Sequence, residues 1–148
     1  MLRPIFAAAL AVLAVPTGIS AQEAPAAEQA AERLSIAAGE TVTARIAGNR
    51  FVVTARVQGE AADAVPAGTV RFSMTGGSDM TMLQVVNGTD QAFEYRARMF
   101  RGSRSAATST CTVLPGIGGF EHWPQPIDRL ELSAPELLEA SSSGISCR

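Results

Sequence analysis

Short stretches in which apolar and polar residues alternate, separated by turn-forming residues, run along this chain from about residue 41 to its end. The largest apolar side chains concentrate in 80–100, MTMLQVVNGTDQAFEYRARMF. There Phe93, Tyr95, Ala97 and Met99 alternate with Glu94, Arg96 and Arg98, the period of two that gives a strand one buried and one wet face. In the preceding run Leu83 and Val85 share one face, and Met80, Met82, Gln84 and Val86 share the other. With Asn87-Gly88 between them, the two runs read as a hairpin whose register follows from loop length. A two-residue turn sets Met82 opposite Phe93 and buries Gln84 with Gln91. A loop with an odd number of residues instead places Leu83 and Val85 on the face of Phe93 and Tyr95. Leaving those two outside would forfeit about 2 kcal/mol each, and a slip of one residue moves every side chain to the opposite face. The odd loop is therefore expected, with Met80 and Met82 on the second face, across from Glu94, Arg96 and Arg98.

The same alternation marks further strands. Val42, Ala44 and Ile46 share a face, Ala47-Gly48-Asn49 has turn composition, and Phe51, Val53, Ala55 and Val57 share a face again, which predicts a second hairpin. Residues 59–68 are small, acidic and contain Pro66, as a connection between sheets would be. Val70, Phe72 and Met74 form another strand, ended by Gly76-Gly77. Residues 101–105 read as a polar loop, after which Ser109, Cys111 and Val113 resume the alternation. The stretch 114–126, LPGIGGFEHWPQP, holds three prolines and three glycines and reads as a long loop, closed to helix or central strand. Ile127, Leu130 and Leu132 give a strand with a bulge where the apolar spacing slips. From Ser133-Ala134-Pro135 a short helix over 135–141 is expected, with an edge strand as its rival. The sum is an all-β fold: an antiparallel β-sandwich, immunoglobulin-like or similar, of seven or eight short strands and about 100 residues. The Cys, Trp, Cys pattern of antibody domains, with its Trp on a strand, is absent, since Trp123 lies twelve residues after Cys111 in a stretch that reads as loop.

The beginning of the chain changes the picture of where it works. Residues 1–21 have one charge at Arg3, an apolar core and a small-residue exit at Ile19-Ser20-Ala21, the form of a secretory signal peptide. Residues 22–38 read as a flexible or weakly helical leader and 39–148 as a single sandwich domain. A periplasmic or secreted protein is expected, with no membrane span after signal cleavage. The full chain carries a net charge of −2, and losing Arg3 takes it to −3, which offers nucleic acid no global attraction. Every basic residue is Arg, so Schiff-base chemistry and a phosphate-loop lysine are excluded; the Arg and Ala bias points to a bacterium with a GC-rich genome. Cys111 and Cys147, in an oxidising compartment, predict a disulfide that ties the tail to the sheet.

Candidate chemistry is sparse. His122 is the one histidine, flanked by Glu121 and Trp123, with no nucleophile-elbow sequence nearby. Glu94, Glu121, Asp128 and Glu131 have no spacing that marks a general acid and base pair. Catalysis is not expected, no cofactor is implied, and a small secreted hydrolase ranks third among the readings. Soft thioethers select Cu(I), and Met74, Met80 and Met82 surround a Gly-rich turn with His122 available from elsewhere, so a periplasmic copper-binding protein is the alternative. Against it stands the habit of methionine of filling core gaps. Arg96, Arg98, Arg101 and Arg104 form the one basic cluster, able to meet phosphate or carboxylate on an envelope polymer or to pair with neighbouring acids as a solvated face. Phe120 and Trp123, in the proline-rich loop, either plug the sandwich end or anchor a partner. Asn87-Gly88-Thr89 matches a glycosylation sequon, but its turn composition accounts for it. The leading expectation is a non-catalytic binding or accessory module of the cell envelope, with an unknown protein or envelope polymer as its partner.

Overall fold

A computed structural model describes residues 30–61, 64–139 and 144–148. The expected signal peptide and the first part of the leader lie outside the described residues. The described residues form ten strands and no helix. One sheet contains β1 (Ala30–Ala31), β3 (Glu40–Ala47), β4 (Arg50–Gln58), β5 (Val70–Gly76), β6 (Thr81–Asn87) and β9 (Gly118–Trp123) in the order β1-β4-β3-β5-β6-β9. The other contains β2 (Arg33–Ala37), β7 (Ala92–Arg101), β8 (Arg104–Thr108) and β10 (Arg129–Leu138) in the order β2-β10-β7-β8. All named strand pairs are antiparallel, and the two sheets pack face to face as a sandwich. The division into six and four strands, with β3 lying between the consecutive strands β4 and β5, differs from the four-plus-three order of constant-type immunoglobulin domains. No helix among the described residues is long and apolar enough to cross a membrane.

The hairpin expected over 80–100 is not one. β6 and β7 belong to opposite sheets, and residues 88–91 carry the chain across the sandwich. Leu83 and Val85 nevertheless meet the inward side of Phe93 and Tyr95, because both strands turn their apolar face to the same interior. The crossing is sealed by Asn87, which is fully buried. Its amide nitrogen donates to the carbonyls of Gln91 (2.8 Å) and Val113 (3.0 Å), and its Oδ1 accepts from the Thr89 N–H (3.0 Å) and hydroxyl (2.8 Å). Glycosylation at Asn87 is incompatible with that burial. Phe72, in the centre of the first sheet, reaches Phe51 beside it and both Phe93 and Tyr95 across the gap in edge-on contacts with centroids about 6 Å apart.

The second hairpin forms as read, β3 to β4 around Gly48-Asn49, but a register shift between Thr43 and Ala44 inverts the later part of β4. Ala44 and Ile46 oppose Val53 and Phe51, whereas Thr43 and Thr41 oppose Ala55 and Val57. Ala55 and Val57, expected inside, are therefore exposed. In exchange Arg56 reaches the sandwich edge, where it donates to Glu40 (2.8 Å) and to the Ser35 carbonyl of the opposite sheet (3.0 Å).

Three further segments correct the sequence reading. Residues 30–37, assigned to the leader, include β1 and β2; Leu34 and Ile36 are buried, but five residues are too short a run to stand out against the Ala-rich stretch before them. The stretch 114–126, taken as loop, contains β9, an edge strand on β6; its three prolines flank the strand, where a missing N–H costs no ladder bond. Over 135–138 the expected helix is instead the end of β10, which pairs there with β7 alone, as the rival edge strand would, while 140 and 141 lie outside the described residues. The bulge lies later than expected, between Ser133 and Glu136, with Ala134 at a φ of 47° and Pro135 buried just after it. β8 takes up part of the expected polar loop, and 109–113 makes only isolated bridges, to Phe93 and to Cys147.

Candidate functional site

The outer face of the four-stranded sheet collects arginine. Alternation along β7 sends Phe93, Tyr95 and Ala97 inward and Glu94, Arg96 and Arg98 outward. Register then builds rows across the sheet. Arg96 and Arg33 flank Ser133, and Arg98 and Ser35 flank Glu131. Arg33 pairs with Glu131 at 3.1 Å, Arg98 donates to the Ser105 hydroxyl at 3.3 Å, and the Arg129 guanidinium lies 4.0 Å over the Phe100 ring. Arg101 and Arg104 stand at the tip of the β7–β8 hairpin. Arg96 and Arg98 thus share the outer face, Arg101 and Arg104 follow at the hairpin tip with the alternate parity, and the structure adds Arg33 and Arg129 to that face from strands distant in the chain. Nothing local in the sequence connects those two to β7; only the pairing of β10 with both β2 and β7 does.

A groove of about 370 Å³ opens beside Arg96, with Glu94, Thr112, Glu136 and Arg148 among its walls. Its floor is shaped by the disulfide, since Cys147 is joined to Cys111 and the tail pairs with 110–112 through bonds such as the Arg148 N–H to the Thr110 carbonyl, 2.9 Å. Arg148 lies 3.2 Å from Glu94, whose carboxylate also accepts from Thr112 at 2.7 Å. Glu94 is in this way compensated from two sides. Arg96, exposed at the same groove, makes no hydrogen bond or ion pair with the described residues. The expected solvated pairing of Arg96 with Glu94 is replaced by Arg148, a residue 54 positions later in the sequence.

The aromatic pair divides. Trp123 is buried and donates its indole N–H to the Thr108 hydroxyl at 2.8 Å, so it acts as the plug. Phe120, three residues earlier on β9, falls on the opposite face by alternation and is 63% exposed, on the side of His122. The methionines also divide. Met74 is 1% exposed and belongs to the core, so it leaves the candidate metal set. Met82 is half-buried on the outer face of the six-stranded sheet, directly opposite His122 in the β6–β9 register, and Met80 is 47% exposed beside it. His122 stands on a strand, with its neighbours Glu121 and Trp123 across from Leu83 and Thr81.

Glu121 is the residue the sequence concealed. Its partner in register is the fully buried Leu83, and its Oε1 accepts the Cys111 N–H at 2.9 Å. Burial pushes its carboxyl above the ordinary range, with the Cys111 N–H opposing that shift. Burial also drives the Tyr95 phenol far above its usual value, and the charge of Glu121 adds to the effect. Among the described residues no group of three His, Cys, Asp or Glu side chains is placed to hold a metal ion. No protein-family model, curated protein or solved structure matches the chain.

Proposed function

We propose that the protein is an exported, non-catalytic binding module whose arginine face takes phosphate or carboxylate groups of an envelope polysaccharide. The observation that carries this reading is Arg96, a guanidinium without a partner among the described residues at the mouth of a groove, while the nearby Glu94 is satisfied by Arg148 and Thr112. A guanidinium offers a planar fork of donors matched to the paired oxygens of either anion. Arg98 and Arg33 lie in adjoining rows, so a chain of regularly spaced charges can engage several of them at once. Single exposed ion pairs contribute little, and useful affinity therefore requires a repeating ligand. The disulfide is consistent with an oxidising compartment, which is where such polymers occur.

The test is binding of the mature protein to immobilised phosphorylated and carboxylated polysaccharides at rising salt. Retention that weakens with ionic strength and disappears in the Arg96→Ala/Arg98→Ala double variant is expected. Equal retention of parent and double variant, or no salt-sensitive retention on either polymer class, overturns the proposal.

A further inference from the structure

We propose that Met80, Met82 and His122 form a binding site for a soft monovalent metal ion, Cu(I), on the outer face of the six-stranded sheet. The site is independent of the arginine face, which lies on the other sheet. Its core is the cross-strand pair Met82 and His122, directly opposed in the antiparallel β6–β9 ladder. Directly opposed residues have Cβ atoms about 5 Å apart and project from the same face. A thioether and an imidazole starting from that separation can close on one ion without moving the backbone. Met80 completes the donor set, because Met80 and Met82 line one hollow, with Thr75 and Asp79 on its other walls.

The position of these methionines argues against a packing role. Methionine fills irregular gaps in cores, and Met74 does that here, fully enclosed between the sheets. Met80 is 47% exposed and Met82 faces outward, so neither closes a gap between the sheets. Phe120 is exposed on the same edge strand two residues before His122, and gives the site an apolar neighbour.

The donor chemistry selects the ion. Two thioethers and one imidazole are neutral, soft to borderline ligands that suit Cu(I) and leave a divalent ion without the charge compensation it needs. No cluster of three His, Cys, Asp or Glu among the described residues offers zinc or calcium a rival site. Both cysteines are held in the disulfide, so no thiolate competes for the ion.

The experiment titrates the mature protein, disulfide intact, with Cu(I) kept reduced by ascorbate against a chromophoric Cu(I) chelator. One equivalent should be withdrawn from the chelator, and Met82→Leu and His122→Ala should each weaken uptake by about tenfold or more, at least the loss that follows disturbance of a ligand's supporting partner. In parallel, Ag(I) added to the parent protein should move the methyl resonances of Met80 and Met82 and leave those of Met74 and Met99 in place. This second measurement decides the matter even if a variant misfolds. No uptake at micromolar metal, parent-like affinity in either variant, or Ag(I) shifts that bypass Met82 overturns the proposal.

Discussion

Tyr95 and Glu121 enter the same interior from opposite sheets, and the phenol hydroxyl is buried without a hydrogen-bond partner among the described residues while the carboxylate raises its pKa further. A buried hydroxyl without a partner forfeits its hydration and gains nothing in return, a cost of about 1 to 3 kcal/mol. Tyr95→Phe keeps the ring that stacks on Phe93 and meets Phe72 edge-on, and removes only the orphaned group. The variant should be more stable by about 1 kcal/mol in denaturant unfolding. It should also lose an alkaline sensitivity of the parent. The folded state holds the phenol protonated where the unfolded chain ionises it, so parent stability falls as pH rises beyond the ordinary tyrosine value of 10.0.

Glu121 gives the acid-side counterpart. Its carboxyl is raised by burial, so between the ordinary carboxyl value and the raised one the folded protein binds a proton that the unfolded chain has released. Stability contributed by this group is therefore present at low pH and is lost as pH climbs through that window. Glu121→Gln retains an oxygen to accept the Cys111 N–H and carries no charge. Melting curves from mildly acid to neutral pH should show the variant exceeding the parent at neutral pH, with the gap closing on acidification. A gap independent of pH would mean that ionisation of Glu121 is not its source.

Asn87 and Gly88 read as a turn dipeptide, yet each serves the crossing between sheets in a different way. Asn87 spends both amide hydrogens and its oxygen on four bonds inside a buried site. Asn87→Ala leaves the Gln91 and Val113 carbonyls short of a donor and should cost about 3 kcal/mol, and Asn87→Asp should do no better, since a carboxylate would face those same carbonyls. Gly88 lies outside the left-handed region and is required for space: a Cβ there would come within 2.9 Å of the Pro66 carbonyl oxygen and 3.0 Å of that of Thr69. Gly88→Ala should destabilise as well, because backbone atoms cannot step aside as side-chain tips can. Urea titrations of the three variants check both claims.

Parity made much of the interior legible. The two-residue period sorted Leu83 and Val85, Phe93 and Tyr95, Val70 and Phe72 into the core before any pairing was known, because the period follows from strand geometry alone. Which strand pairs with which is a long-range matter, and an arch between sheets carries the same local pattern as a hairpin, so alternation alone does not separate the β6–β7 crossing from the hairpin it predicts. Bulges break parity without a residue that announces them. Thr43 and Ala44 sit where the register shifts, and Val57 and Arg56 exchange sides as a result. The basic ridge was legible only along β7, where its residues are neighbours in sequence; Arg33, Arg129 and Arg148 reach it through strand pairing and the disulfide.

The Cys111–Cys147 disulfide joins stability to the proposed anion site, and cutting it should affect the two differently. The bond closes a loop with a sequence separation of 36, for which loop entropy gives about 3 to 4 kcal/mol. Cys111→Ser/Cys147→Ser should lower stability by that order, read from chemical denaturation. The tail 144–148 is exposed throughout, and among the described residues its hydrogen bonds and ion pair are to 110–112 and Glu94, so the sandwich interior should survive, with an unchanged far-ultraviolet spectrum. The groove should not survive. With the tail released, Arg148 is no longer held 3.2 Å from Glu94, and Glu94 keeps only its bond from Thr112. Its charge then competes for Arg96 on the same face of β7, two residues away. Polysaccharide retention by the double serine variant should fall at low salt under conditions where the fold remains intact, and adding Glu94→Gln to that variant should restore part of it. Retention that ignores the state of the cysteines would show that Arg96 does not depend on the tail to be free for a ligand.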